Sequence, residues 1–191
     1  MSNIVDPLVG RIATRIRAER EGRRWTLAQL ADASGVSAAM ISRIERGESS
    51  PSAVILGKLS AAFQLSIAAL LAETDPEPAS GVRRRDDAVE WRDPGTGYRR
   101  RQITGPDFPA EIAEIHLPAG ARVPYPAAAF AFIRQVVWVL DGELTFHDGD
   151  TVHVLGPGDT IELGEPAERA FVNATGSECR YTVILTRHTA P

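Results

Sequence analysis

The hydrophobic positions in the first third of the chain recur at the spacing of an α-helix. Leu8, Ile12 and Ile16 form a stripe at every fourth residue, which predicts an amphipathic helix over residues 8–21 that ends at Gly22. The same spacing, with Ser and Thr as caps, predicts four more helices. They cover residues 27–33, 37–46, 52–63 and 66–72. The first part of the chain is therefore predicted to form a bundle of five helices.

From residue 82 the pattern changes to short runs of alternating hydrophobic and polar residues, separated by turns rich in Gly and Pro. Ten strands are predicted, at residues 82–85, 88–91, 98–103, 111–117, 135–140, 144–147, 151–155, 160–163, 169–173 and 180–186. This number and length of strands is typical of a jelly-roll β-barrel. Residues 73–81, rich in Pro, Ser and acidic residues, resemble an exposed linker. The predicted fold class is two-domain, α then β, with domains at 1–72 and 82–191.

The composition is that of a folded protein. Of the 191 residues, 43% are hydrophobic and 24% are charged, and no apolar run approaches the roughly 20 residues of a membrane helix. The first residues also lack the apolar run of a signal peptide, so we expect a cytoplasmic protein with no membrane partner. The single cysteine, Cys179, excludes an internal disulfide bond and a thiolate zinc cluster.

The two predicted domains carry opposite charge. Residues 1–72 hold nine basic and six acidic residues, whereas the rest of the chain holds 12 basic and 19 acidic residues. The overall formal charge of −4 hides this difference. A basic helical half is suited to DNA, and an acidic half is not.

Residues 26–52 read TLAQLADASGVSAAMISRIERGESSPS. This string resembles the Xre-type, lambda-repressor-like helix-turn-helix family, and the resemblance extends over about residues 8–72. It implies that residues 37–46 form the recognition helix, which lies in the major groove of double-stranded operator DNA. Six residues are expected at the DNA: Thr26, Ser37, Ala38, Ala39, Ser42 and Arg43. Arg43 is the expected reader of guanine, because a guanidinium can donate two hydrogen bonds to O6 and N7.

One position departs from the family pattern. Leu27 stands where many relatives have a glutamine that bonds a phosphate. The two alanines of the recognition helix offer only methyl contacts, so we expect part of the specificity to come from DNA shape. The alternative is a helical bundle that makes no contact with DNA.

Three strings of the second half, LPAGA, QVVWVLDGEL and VLGPGDT, resemble the cupin family over roughly residues 82–191. Metal-binding cupins supply two histidines and a glutamate from the first motif and one more histidine from the second. Here residues 123–134 contain no histidine, Gln135 takes the glutamate position and Arg169 takes the second-motif histidine position. We expect no metal and no other cofactor, because a neutral amide and a permanent cation do not hold a divalent metal.

Strand alternation is expected to point Gln135 and Arg169 into the interior of the predicted barrel. The side chains expected around them are Val137, Phe171, Tyr125 and Tyr181. An arginine and an amide in an apolar pocket predict a site for a carboxylate or another small anion. In the alternative, Arg169 pairs with a local acid such as Glu162 or Glu168, and the interior is packed solid. A cavity of about 300 Å³ with Arg169 in its wall would favour the ligand site.

The four histidines are spread over different predicted strands and the tail, without the spacing of metal ligands. His116, His147, His153 and His188 are interpreted as structural or exposed. His116 shares a strand face with Glu114, which makes them the one pair of interest. The arginine runs at 83–85 and 99–101 are interpreted as solvated edge strands, with a contact to DNA phosphate as the alternative.

These features predict a transcriptional regulator that is not an enzyme: the helix-turn-helix domain binds operator DNA and the metal-free cupin senses a small-molecule effector. We expect a homodimer, because a single half-site buries too little surface for operator-level affinity. The resemblance implies association through the cupin sheet, and the linker at 73–81 is expected to transmit the effector signal. Two alternatives stay open, a cupin that serves only as a dimerisation scaffold and a metal-independent enzyme domain.

Overall fold

The computed structural model describes residues 7–72, 81–85, 88, 90–105 and 108–187. The first part is a bundle of five helices: α1 (Pro7–Gly22), α2 (Leu27–Ser34), α3 (Ala38–Glu45), α4 (Ala53–Phe63) and α5 (Ile67–Leu71). The five predicted helices are confirmed, and their ends lie within about one residue of the predicted ends. None of the described helices is long and apolar enough to cross a membrane.

Side-chain caps explain where these helices begin. Oγ1 of Thr26 accepts a hydrogen bond from the backbone N–H of Gln29, and the Gln29 side chain accepts one from the N–H of Thr26 in return. Ser37, before α3, accepts a hydrogen bond from the backbone of Met40. Between α2 and α3, Gly35 adopts a left-handed φ of 65°, which allows the chain to turn sharply.

The second part is a sandwich of two antiparallel sheets. Its strands are β1 (Glu90–Arg92), β2 (Arg99–Gln102), β3 (Glu111–Leu117), β4 (Arg122–Tyr125), β5 (Ile133–Asp141), β6 (Leu144–Asp148), β7 (Thr151–Leu155), β8 (Thr160–Glu162), β9 (Arg169–Val172) and β10 (Cys179–Arg187). The six-stranded sheet has the order β1-β2-β3-β10-β5-β8, and the four-stranded sheet has the order β4-β9-β6-β7. A helical bundle followed by a β-rich domain is confirmed. The finer prediction of a closed barrel is not, because no closed sheet joins the described strands.

The strand predictions need two corrections. Residues 82–85 form no strand, and their side chains are exposed. The sequence pattern misses β4, because Pro124 interrupts it and proline cannot donate to a sheet ladder. The proline is tolerated because β4 is one of the two edge strands of the four-stranded sheet. The predicted linker at 73–81 lies outside the described residues except for Gly81, and so does His188.

The interior of the sandwich is filled by aromatic and aliphatic side chains from both sheets. Phe171 of β9 stacks on Tyr181 of β10 with 5.5 Å between the ring centroids. Phe146 of β6 lies 5.0 Å from Phe171. Val137 and Val139 of β5 are fully buried. These contacts hold the two sheets together.

The helical bundle and the sandwich share one continuous hydrophobic core. Helix α4 packs against β4 and against the short 3-10 helix Ala127–Phe130. Gly57 lies so close to Tyr125 here that a β-carbon on the glycine would be 2.3 Å from Cδ1 of the ring. The backbone N–H of Ala53 donates a 2.7 Å hydrogen bond to Oδ1 of the buried Asp93. The two parts are therefore in direct contact, in addition to any connection through the predicted linker.

Candidate functional site

Helix α3 is held in a defined orientation on the bundle. Ile41 and Ile44 are buried, while Arg43 on the other face is exposed. Glu45 at the end of α3 binds Arg20 of α1, with Nε and Nη2 of the guanidinium 2.7 and 2.8 Å from the two carboxylate oxygens. These hydrogen bonds raise the pKa of Arg20 above its ordinary value. A bidentate pair of this kind fixes the orientation of α3 relative to α1.

The predicted DNA-binding residues lie at the start of α2 and on the first two turns of α3. The exposed ones are Thr26, Ser37, Ala39 and Arg43, and the half-buried ones are Ala38 and Ser42. The hydroxyl of Ser42 accepts a hydrogen bond from Arg46, which also pairs with Glu48 at 2.6 Å. No residue in the described part of the chain forms a salt bridge or a side-chain hydrogen bond with Arg43. Its guanidinium is therefore available for a contact outside the protein.

A cavity of about 50 Å³ lies between the helical bundle and the adjoining end of the sandwich. Ser60, Ser66 and Ile67 line it from the helices. Its polar residues from the sandwich are Tyr98, Arg100, Tyr125, Gln135 and Tyr181, and the rest of the wall is aliphatic or aromatic. The wall thus contains all three tyrosines of the chain.

Arg100 is the positively charged residue among those that line the cavity. It lies on β2 between Arg99 and Arg101, and it is 5% exposed. It forms no salt bridge with any residue that the structure describes, and its buried Nε has no hydrogen-bond partner among them. A buried guanidinium without a carboxylate is costly, because its lost hydration is not replaced. An anion in the cavity would supply the missing acceptors.

The cavity wall also contains uncharged hydrogen-bond donors. Gln135 is buried, with 8% of its surface exposed. Desolvation raises the pKa of Tyr125 and Tyr181 well above the ordinary value, so both phenols keep their protons and are able to donate hydrogen bonds. The described wall contains no carboxylate. Its chemistry therefore suits an anion with an apolar body.

Arg169 lies outside the cavity wall, in contrast to the prediction. Its side chain is buried against Asp148, with Nε 2.7 Å from Oδ1, and it also donates to two backbone carbonyls. The guanidinium lies over the ring of Phe130, 4.6 Å from the centroid. The alternative interpretation, in which a local acid neutralises Arg169, describes this residue better. The acid is Asp148, however, and not Glu162 or Glu168.

The structure brings four of the six predicted ligand-binding residues together at the cavity. Gln135, Tyr125, Phe171 and Tyr181 line it, whereas Val137 and Arg169 do not. Sequence reasoning missed Arg100, because three consecutive arginines give no sign of which one points inward. The interpretation of 99–101 as a solvated edge strand is wrong, since β2 lies between β1 and β3. The one available signal was Tyr98, which is buried and shares a strand face with Arg100.

A charged network lies on the outer face of the six-stranded sheet. The two ring nitrogens of His116 lie 2.9 Å from Glu114 and 2.7 Å from Glu178. Arg101 also bonds Glu114, and Arg99 bonds Glu178 at 3.1 Å. These contacts support a structural role for His116. Within the described residues, no group of three His, Cys, Asp or Glu side chains is placed to hold a metal ion.

Comparison with known proteins shows what the chain is similar to. Residues 16–70 match the helix-turn-helix family HTH_3. The match covers the helical bundle only, and it indicates a helix-turn-helix domain in this part of the chain.

Particular relatives are similar over different lengths. The HTH-type transcriptional regulator PuuR of Escherichia coli (strain K12) is 27% identical over 182 residues, which cover 92% of each chain. The regulator SutR of the same organism is 46% identical over 48 residues, which are 25% of this chain and only 27% of SutR. An HTH_3 family transcriptional regulator from Vibrio cholerae has a similar structure, with a TM-score of 0.76 at 24% identity over 94% of this chain and 96% of that one.

Proposed function

We propose that this protein is a helix-turn-helix transcriptional regulator with a C-terminal cupin domain. It binds operator DNA as a homodimer in the cytoplasm and senses a small organic anion in the cavity between its bundle and its sandwich. The observation that carries the sensor is Arg100, whose buried Nε in the cavity wall has no partner among the described residues. A carboxylate meets this need, because its oxygens can accept hydrogen bonds from the guanidinium and from the amide of Gln135, which also lines the cavity. The ligand class is therefore a small carboxylate or a similar anion, bound without a metal or another cofactor.

The homodimer is proposed to form through the outer face of the six-stranded sheet. Trp138 of β5 is 44% exposed on this face. Val136 of β5 pairs with Ile184 of β10, which pairs with Ile112 of β3. Val136, Ile184 and Ile112 form a half-buried apolar row across three strands, next to the exposed Trp138. Apolar surface of this kind often marks a protein contact. A two-fold contact here would present two recognition helices to the two half-sites of an operator.

We propose no catalytic activity for the cavity. The described part of its wall holds no carboxylate, imidazole, amine or thiol that would act as a general acid or base. A binding site needs only the donors that are present, whereas a metal-independent reaction needs a group that takes up a proton.

The small size of the cavity favours a second candidate function. In this alternative the sandwich binds no ligand and serves only to hold the dimer together. Its volume of about 50 Å³ is well below the roughly 300 Å³ at which ligand pockets begin. The sensor therefore requires a site that enlarges when the ligand enters.

A thermal-shift experiment on the full chain separates the sensor from the scaffold. Benzoate and benzylamine, and likewise butyrate and butylamine, share a carbon skeleton and carry opposite charge. The sensor predicts stabilisation by at least one carboxylate and by neither amine. At 100 times its Kd, a ligand adds about 2.7 kcal/mol of stability. For a protein of this size, that raises Tm by about 5–10 °C.

Two arginine variants identify the site. Arg100→Gln is expected to abolish the shift, because it removes the charge from the cavity wall. Arg99→Gln is the matched control, since Arg99 lies on the same strand and pairs with Glu178 on the outer face. Stabilisation by an amine, or an equal loss in both variants, would contradict the assignment of Arg100. No response to any carboxylate, with the dimer intact, would favour the scaffold.

A further inference from the structure

The cavity is closed by the helical bundle. Ser60 of α4, with Ser66 and Ile67 at the start of α5, completes its wall. Most of the other wall residues lie on strands, which are fixed in sheets by their backbone hydrogen bonds. The helices instead meet the sandwich through side-chain packing and the bond between Ala53 and Asp93. A benzoate-sized ligand exceeds the closed volume, so the helices are the part of the wall that has to move when it binds.

Gly57 sets how closely α4 approaches the sandwich. It lies in the interior of α4, where glycine is less favourable for a helix than alanine, and its φ is not left-handed. A glycine is needed here because the helix lies too close to Tyr125 for a side chain to fit. A β-carbon at this position would lie 2.3 Å from Cδ1 and 2.7 Å from Cε1 of Tyr125. Any larger residue at this position therefore pushes α4 and the Tyr125 ring apart.

Tyr125 touches both the helix and the space for the ligand. One edge of its ring faces Gly57, and the ring also lines the cavity. On the sandwich side it packs against Phe130 and Phe171, with centroid distances of 6.3 and 5.9 Å. Because these two rings block movement into the sandwich, a ligand that displaces Tyr125 moves it toward α4.

We propose, on the basis of the function proposed above, that ligand binding in the cavity and close packing of α4 on Tyr125 exclude each other. The ligand releases α4 from the sandwich, and the DNA-binding bundle with it. In the closed form, the two bundles of a dimer are held at a fixed spacing that suits two half-sites. After release, the two bundles move independently of each other. Binding to both half-sites then has to restrict that motion, which costs conformational entropy, so the affinity for the operator falls. The effector is therefore a signal for dissociation from the operator.

Hydrogen exchange in the full chain measures the release directly. The N–H of Ala53 is bonded to Asp93 only while α4 is packed on the sandwich, so peptides from α4 exchange faster when the helix is free. Gly57→Ala is expected to raise this exchange without a ligand. It is also expected to weaken specific operator binding about fivefold or more, the lower end of typical allosteric coupling. Gly10→Ala is the matched control, because Gly10 lies inside α1 and a β-carbon there meets no atom within 4 Å.

A double variant separates this effect from general unfolding. Tyr125→Ala removes the ring that the new methyl group meets. Combined with Gly57→Ala, it is expected to return the exchange of α4 and the operator affinity toward the wild-type values. The proposal is wrong if Gly57→Ala leaves the exchange of α4 unchanged, or if it frees α4 without weakening operator binding.

Benzoate tests the same step in the wild-type chain. It is expected to speed exchange in α4 and to bind more tightly to Gly57→Ala, in which the site is already open. Slower exchange in α4 on benzoate binding would overturn the proposal and leave the sensor intact. If neither benzoate nor butyrate binds, the proposed sensor fails. In that case Gly57→Ala still decides whether the packing of α4 controls DNA binding.

Discussion

The carboxylate of Asp93 accepts a 2.7 Å hydrogen bond from the backbone N–H of Ala53. Ala53 is the first residue of α4, so a side chain of the sandwich satisfies a free N–H group at the start of a helix in the bundle. Asp93 is 3% exposed, and its second oxygen accepts hydrogen bonds from the backbone and the hydroxyl of Thr96. A buried carboxylate with both oxygens in use thus joins the two parts of the chain.

Asp93→Ala is expected to lower the free energy of unfolding by about 1–3 kcal/mol, because it leaves the N–H of Ala53 without an acceptor. Urea denaturation of the full chain at neutral pH measures this loss. Asp32→Ala, at an exposed position of α2, is the baseline and is expected to change stability by less than about 0.5 kcal/mol. Equal losses in the two variants would show that the bond to Ala53 adds nothing to stability.

Arg43→Ala tests the recognition helix. Loss of a bidentate contact to guanine is expected to weaken specific operator binding by about 1–3 kcal/mol, roughly 5-fold to 150-fold. Binding to a scrambled duplex is expected to change far less, because it depends on phosphate contacts. Fluorescence anisotropy with both duplexes at one fixed salt concentration gives the two affinities.

The matched control for Arg43 is Arg17→Ala. Arg17 is an exposed arginine of α1 that pairs with Glu21 at 3.0 Å. It is expected to leave the ratio of specific to non-specific affinity unchanged. If Arg43→Ala weakens both duplexes equally, Arg43 contacts phosphate and does not read a base.

The local parts of the fold could be predicted from the sequence. The helix limits follow from capping side chains such as Thr26 and Ser37, which lie within a few residues of the groups that they bond. Turn signals located most strands in the same way. Strand β4 was missed because Pro124 is acceptable only at a sheet edge, and the sequence does not show which strand becomes an edge.

The cavity could be predicted only in part, because its wall depends on contacts between distant segments. Strand alternation placed Gln135 correctly. It could not show that Asp148 neutralises Arg169 or that Arg100 takes its place in the wall. The role of Gly57 depends on a ring 68 residues further along the chain, which no local pattern reveals.

The network around Glu114 makes stability depend on acidic pH. Burial acts to raise the pKa of Glu114, but the bonds from Arg101 and His116 outweigh it, and the pKa lies below the ordinary value of 4.5. The folded state therefore binds this proton more weakly than the unfolded state. The stabilisation is complete above the ordinary pKa, and it is lost as pH falls through that value toward the folded-state pKa.

Glu114→Gln is expected to reduce this acid sensitivity, because glutamine has no proton to bind. The measurement is the free energy of unfolding in urea between about pH 5.5 and 3.5, which should fall less steeply in the variant than in the wild type. Arg101→Gln is expected to flatten the curve too, since it removes a bond that lowers the pKa of Glu114. A wild-type slope in Glu114→Gln would rule out this carboxylate as a source of acid sensitivity.

Trp138 tests the proposed dimer face. Trp138→Asp places a charge next to the apolar row on the outer face of the six-stranded sheet, and a charge buried without a partner strongly disfavours association. Size-exclusion chromatography with light scattering is expected to show a dimer for the wild type and a monomer for the variant. Specific operator affinity is expected to fall in parallel, because a monomer engages only one half-site.

Val154→Asp is the matched control for Trp138→Asp, since Val154 is 62% exposed on β7 of the other sheet. It is expected to remain dimeric, because its strand lies outside the proposed contact. A dimeric Trp138→Asp variant would exclude the six-stranded sheet as the interface. A monomeric Val154→Asp variant would instead place the contact on the four-stranded sheet, and the two half-sites would then have to be reached from a dimer built on that face.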